Sequence, residues 1–250
     1  MFNPENELEE SLVKAADDPA YRPKFYKELS MATLFVIQYD QVPEQDYEGT
    51  LEAGMELRVQ NIEIEGEPHI PVFSSLTRLQ SAISDEVGYI ALNTLEFLNI
   101  VKGSDIVLNP GSEYGKLFTA KEIQQIMEGT LGSPSSTFVA EKDTTVLIGQ
   151  PKNYPDALVD ALRKLYKTEK DVVSAYLVHF FNPETDDPPH TLIGLQVAGA
   201  WDNLLSASMI VCEGIDIPDP PVDFIRVDLG DLGHFSGVIP FYKKKKFWLF

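Results

Sequence analysis

Asp105-Ile106-Val107-Leu108-Asn109-Pro110-Gly111-Ser112-Glu113-Tyr114-Gly115-Lys116-Leu117-Phe118-Thr119-Ala120-Lys121-Glu122-Ile123 reads as a buried strand, a compact turn and a capped helix in one phrase. Ile106, Val107 and Leu108 form a short apolar run, as a strand covered on both faces requires. Asn109-Pro110-Gly111-Ser112 has turn chemistry, with proline fixing φ and glycine supplying positive φ. Thr119 with Glu122 is a capping box, in which the hydroxyl and the carboxylate each satisfy an otherwise orphan N–H. Ile123, Ile126 and Met127 then supply the apolar stripe of a helix that Gly129 ends.

The glycine–lysine turn also invites a phosphate reading. A P-loop needs four residues between its glycines and a Ser or Thr after the lysine, so that amides wrap the phosphates and a hydroxyl reaches magnesium. From Gly111 to Lys116 there are three intervening residues, and Leu117 follows. The turn is therefore no nucleotide P-loop, although Asn109, Gly111, Ser112, Gly115 and Lys116 remain candidates for holding a phosphorylated metabolite.

Working outward, Asn6 starts an amphipathic helix through Leu8, Leu12, Val13 and Ala16, and a second runs near Tyr21, Phe25, Tyr26 and Leu29. Thr33 to Ile37 is a buried strand, residues 55–59 and 69–73 are edges of a small antiparallel unit, and Gly66 sits in a turn. The acidic residues between Gln38 and Gly54 read as an exposed loop. Ser75 caps a helix through Leu79 and Ala82, residues 88–92 form a strand, Asn93 or Thr94 opens a short helix, and Asp105 to Leu108 returns as strand.

Small and backbone-breaking residues from Gly129 to Ser136 mark a linker. The expected division is 1–129, a linker at 130–140, and 141–250. The second part reads strand 145–149, helix 154–166 with Pro155 in its first turn, strands 172–181 and 191–198, helix 201–212, and strand 222–227. The fold class is α+β, two mixed modules, and the βαββαβ order of the second suggests a ferredoxin-like sandwich.

Composition, at 44% hydrophobic and 24% charged residues, is that of a folded globular chain. The net charge of -19 is uneven: residues 1–67 hold sixteen acidic side chains against five basic, a local balance of -11. Such a field repels phosphate backbones, so no nucleic-acid partner is expected. No apolar run reaches spanning length, which argues against stable membrane insertion. Met1 leads into an acidic segment without a signal-peptide pattern, and Cys212 is a lone cysteine; both point to the cytoplasm.

Tests for chemistry find no constellation. Cys212 lies in an apolar stretch without a neighbouring His or Lys to hold a thiolate. His69, His179, His190 and His234 lack the short spacings of zinc ligands, and no Gly-x-Ser-x-Gly elbow occurs. A carboxylate pair for glycoside hydrolysis can always be picked from 39 acidic residues, so abundance removes that signal. No cofactor and no catalytic residue are expected.

The tail is the strongest exposed-binding candidate: Lys243, Lys244, Lys245 and Lys246 lead into Phe247 and Trp248. Three readings compete. It is a last strand with solvated lysines, a partner contact in which aromatics fill pockets while lysines steer toward an acidic surface, including that of another copy, or a weak contact with anionic lipid.

These residues resemble the SseB-like family, named for enhanced serine sensitivity. The resemblance rests on Asn6, Leu8 and Glu9 in the first helix, Pro71-Val72-Phe73-Ser74-Ser75, Leu108-Asn109-Pro110-Gly111-Ser112, Tyr114-Gly115-Lys116, and Pro240-Phe241-Tyr242. Usual members carry Phe-Thr-Ser at 73–75, a hydroxyl-preserving difference. The resemblance implies a bacterial protein with an N-terminal and a distinct C-terminal domain and no accepted enzymatic activity or cofactor. It is not the secretion-apparatus protein that shares the name. The function expected from all of this is a non-catalytic binding or regulatory role with a protein partner.

Overall fold

A computed structural model of the chain describes residues 2–38, 58–133, 145–185 and 187–245. The chain divides into two compact units, 1–131 and 132–250. Both are α+β, with helices set against mixed sheets.

The first unit runs α1 (Glu7–Asp17), α2 (Arg22–Met31), β1 (Thr33–Ile37), β2 (Ile62–Ile64), β3 (Glu67–Phe73), α3 (Leu76–Ala82), β4 (Tyr89–Asn93), α4 (Thr94–Ile100), β5 (Asp105–Leu108), β6 (Lys116–Phe118) and α5 (Ala120–Glu128). Its sheet order is β4-β1-β3-β5-β6, with β2 as a hairpin on β3. The β3–β5 pair is parallel and the other pairs are antiparallel.

Burial on both faces of the sheet explains why β1 is apolar from Leu34 to Ile37. Leu34 and Val36 join Leu8, Leu12, Phe25, Leu29, Val72, Phe97 and Leu108 in the main core, whereas Ile37 joins Phe73 and Leu79 on the opposite face. The ends of the helices follow local chemistry. Asn6 accepts from the Glu9 amide, Ser75 from the Arg78 amide, Asn93 from the Leu95 amide and Thr119 from the Glu122 amide. Each such cap is worth about 1 kcal/mol.

Three expectations need correction here. Lys116–Phe118 is a strand paired with β5, not a direct run from turn into helix. The hairpin strand is Ile62–Ile64; Val59 makes an isolated bridge to Gln38, and residues 55–57 lie outside the described residues. The inward face of α1 carries Ala15 together with the polar Glu9 and Ser11, while Ala16 is exposed. The acidic loop falls almost wholly at 39–57, and most of the expected linker at 134–144, both outside the described residues.

The second unit runs β7 (Leu147–Gly149), α6 (Asp156–Thr168), β8 (Val172–Phe181), β9 (His190–Val197), α7 (Trp201–Cys212), β10 (Val222–Arg226) and β11 (Tyr242–Lys243). The βαββαβ order is present, followed by the added β11. The wiring is not ferredoxin-like. A split βαβ seats its first strand centrally, but here the order is β10-β9-β8, with β7 and β11 sharing the far edge of β8. The reason lies in strand length and burial. β9 is buried along its whole length and β8 along most of it, so these two hold the centre, whereas the three-residue β7 exposes Leu147 and suits only an edge.

Tyr176, Val178 and Leu192 meet Val227 and Phe235 on one face of this sheet. Ala175 and Leu177, paired with Leu195 and Ile193, are buried on the other. Gly194 is needed for space, because a Cβ there would lie 2.5 Å from the Phe235 ring.

Candidate functional sites

The motif residues of the first unit converge on a buried ion cluster. Glu9 on α1 is fully buried. Its carboxylate accepts from Ser74 Oγ (2.7 Å), Ser75 Oγ (3.1 Å), Arg78 Nη2 (2.8 Å) and Nε (3.2 Å), and the Glu5 amide (2.9 Å). Asn6 donates its side-chain amide to the Ser74 carbonyl at 2.9 Å. From the β5–β6 turn, Asn109 accepts from the Ser74 amide at 2.9 Å and donates to Ser74 Oγ at 2.8 Å. The Arg78 guanidinium also stacks 3.8 Å over the Phe2 ring, and Phe2 meets Tyr114 edge-on.

Burial pushes the Glu9 carboxyl up, but bonds from Arg78, Ser74, the Glu5 amide and Ser75 outweigh it, so the group titrates below its usual range. The bond to Glu9 raises Arg78 in turn. The pair is ionised, with five hydrogen bonds on the carboxylate, two of them from the guanidinium. This arrangement clasps α1, the β3–α3 junction and the β5–β6 turn together. Ser74 is buried and holds its hydroxyl against Glu9 and Asn109, with no histidine to take its proton.

The five candidate ligand residues of the turn have separate engagements. Asn109 adopts a left-handed φ of 51°, is buried, and faces Ser74. Gly111 has φ 75°, and the Ser112 amide closes the turn on the Asn109 carbonyl at 3.2 Å. Gly115 passes so near the strand that a Cβ would sit 2.7 Å from the Leu108 carbonyl oxygen. Lys116 holds its ammonium 2.9 Å from Glu122 Oε1, which also accepts from the Tyr26 hydroxyl at 2.6 Å. A phosphate at Lys116 would compete with that carboxylate. The expected capping box is therefore half made: the Glu122 amide donates to Thr119 Oγ1, but its carboxylate serves Tyr26 and Lys116 instead of the Thr119 amide.

A different kind of site lies in the second unit. A groove of about 530 Å³ is lined by Arg163, Lys167, Thr168, Glu169 and Lys170 from the end of α6 and the turn after it, and by residues 241–245. The fold makes it because Tyr242 and Lys243 pair with Ala175 and Ser174, bringing the C-terminal segment across the sheet edge beside α6. The buried Tyr166 anchors this segment, with its ring 6.2 Å from Phe241 and 5.9 Å from Tyr242. Arg163 Nε donates to the Phe241 carbonyl at 3.1 Å, and Lys244 Nζ donates to the Lys170 carbonyl.

Six basic side chains face one acidic one in this groove, in a unit that holds sixteen acidic and eleven basic residues altogether. Arg163 is paired with Asp160. Lys167, Lys170, Lys243 and Lys245 are exposed, with no carboxylate partner among the described residues. Lys243, Lys244 and Lys245 are therefore brought together with cations some 75 residues away in sequence. Lys246, Phe247 and Trp248 lie outside the described residues. Sequence reading missed Arg163, Lys167 and Lys170; the signal available was two lysines flanking the end of a predicted helix.

Cys212 is a poor nucleophile, since burial, with a smaller push from Glu213, raises its thiol to about 12. Among the described residues no three His, Cys, Asp or Glu side chains gather as metal ligands. No helix among them is long and apolar enough to cross a membrane.

Comparison with known proteins accounts for nearly the whole chain. The SseB protein N-terminal domain matches residues 8–125, and the SseB protein C-terminal domain matches residues 140–244. Protein SseB of Escherichia coli (strain K12) and Protein SseB of Shigella flexneri are each 31% identical over 254 residues, covering 98% of this chain and 95% of the relative. No solved structure matches. With both domains matched in order, the chain belongs to the SseB family.

Proposed function

We propose that this protein works by binding, as a non-catalytic cytoplasmic module in bacterial regulation or stress physiology, and that its recognition surface for a protein partner is the groove between α6 and residues 241–245. The observation that carries this reading is a set of four exposed lysines, without a carboxylate partner among the described residues, grouped beside two aromatic side chains in an otherwise acidic chain. Charge of this kind sets encounter rate and partner choice. Acid–base catalysis or covalent catalysis requires a base or nucleophile aimed at open space. The motif side chains of the first unit are instead turned on one another.

The test is a photo-crosslinking residue placed at Thr168 in the full-length protein and activated in its native cells. Discrete protein adducts, lost on charge reversal at Lys167 and Lys243, are expected. Small-molecule adducts alone, or turnover by the purified protein that one point substitution abolishes, would overturn it. The rival site, a phosphorylated-metabolite pocket at Gly111–Lys116, is addressed by thermal shift with pyrophosphate. Protection lost in Lys116→Ala would favour that rival, and no protection is expected while Lys116 holds Glu122.

A further inference from the structure

Resting on the binding reading above, we propose that the groove takes an extended acidic segment of a partner protein, which adds as a strand to the free edge of β11 with its carboxylates on the surrounding lysines. The backbone geometry supports a polypeptide. Among the described residues β11 ends the sheet, paired with β8 on one side only. The Lys244 amide donates inward to the Val173 carbonyl at 2.9 Å. Since strand backbone groups alternate in direction, the N–H and C=O of Lys243 face away from β8, toward the open edge. An incoming strand could bond them, which is the strand-addition mode of peptide recognition.

Electrostatics selects the kind of strand. Pairing with the same edge of a second copy would set lysine against lysine, and like charges directly opposed destabilise a ladder. A Glu- or Asp-rich strand reverses that sign. Lysine presents compact point charges without arginine's planar fork, which suits carboxylates arriving in varied geometry. Duplex nucleic acid and membranes extend well past the groove, and the charges of this unit outside the groove are fifteen acidic against five basic. A short acidic segment lies within roughly 8 Å of the lysines, the screening length at physiological salt.

The experiment uses the full chain and a labelled decapeptide alternating glutamate with valine, measured by fluorescence anisotropy. Saturable binding is expected. It should weaken about tenfold or more in a Lys167→Glu/Lys243→Glu/Lys245→Glu variant and fall steeply with added salt. A decapeptide of equal charge with prolines at two central valines, unable to donate to the edge, should also bind about tenfold more weakly. Equal binding of the proline peptide would overturn the strand mode. Tighter binding of anionic vesicles or a DNA duplex, or lysine-dependent association of two copies that excludes the peptide, would overturn the choice of occupant. Discrete protein adducts at Thr168 with no affinity for the acidic decapeptide would sink this inference while leaving the binding reading standing.

Discussion

The Glu9–Arg78 cluster and the lysine groove are both concentrations of charge, and they are organised in opposite ways. In the first, an acid and a base face each other at 2.8 Å in the interior, and hydroxyls and amides fill the remaining lone pairs. In the second, cations stand together in solvent with one carboxylate among them. Closed charge orders the chain that carries it; open charge is available to another molecule. The residues that make the family recognisable, Asn6, Glu9, Ser74, Ser75 and Asn109, belong to the closed set. In this chain these motif residues thus act mainly as a folding instruction, and the recognition surface we propose lies elsewhere.

Opening the closed cluster should have the largest effect. Arg78→Met leaves Glu9 as an unpaired buried carboxylate and should cost about 3–5 kcal/mol, the usual consequence of removing one member of a buried pair. Urea unfolding should show the loss in the first unit's transition. If Arg78→Met shifted that midpoint no more than a surface substitution does, the Glu9–Arg78 pair would not hold the first unit together.

The same pair predicts a pH dependence. The folded Glu9 carboxyl lies below its ordinary value, so its contribution is fully present above the unfolded value, about 4.3, and is lost as pH falls through the folded value. The wild-type first unit should weaken progressively in acid below that point. Glu9→Gln should be less stable at neutral pH and flatter in acid. Parallel pH profiles for the two proteins would remove Glu9 from the account.

A smaller effect separates packing from charge in the second unit. Gly194→Ala puts a methyl group 2.5 Å from the Phe235 ring and should cost about 1–3 kcal/mol, as overpacking does. Phe235→Leu should recover part of it in the double variant. Failure of the pair to couple would mean that the ring moves aside freely.

Much of the fold was legible because the strongest elements obey their own period. The strand β1, the long strand β8, and the helix α7 begin and end where apolar runs and flanking turns place them. β6 was hidden because its three residues, between a turn and a cap, show no alternation long enough to read. The wiring of the second unit was hidden for another reason: element order is written in the chain, but which strand holds the centre depends on relative burial. Glu9 was visible as a motif residue and invisible as a buried one, since its partner Arg78 stands 69 residues away. The groove was half visible. Lysines 243–246 announce a cationic tail, yet nothing local says that Lys167 and Lys170 will stand beside it.

The least effect on stability should come from the groove. Lys167→Glu, Lys243→Glu and Lys245→Glu alter exposed side chains with no carboxylate partner among the described residues, so each should change unfolding free energy by no more than about 0.5 kcal/mol. The fixed parts of the wall, Arg163 on the Phe241 carbonyl and Tyr166 beneath Phe241 and Tyr242, are untouched by these changes. Binding should nevertheless collapse, because reversing three of six cations turns an attractive field into a nearly neutral or repulsive one. The informative quantity is the ratio of the two effects. In the clasp a single substitution should damage folding, whereas in the groove three together should leave folding intact and abolish recognition. A large stability loss from the lysine reversals would mean that these charges also hold the C-terminal segment against β8, and the division between closed and open charge would fail.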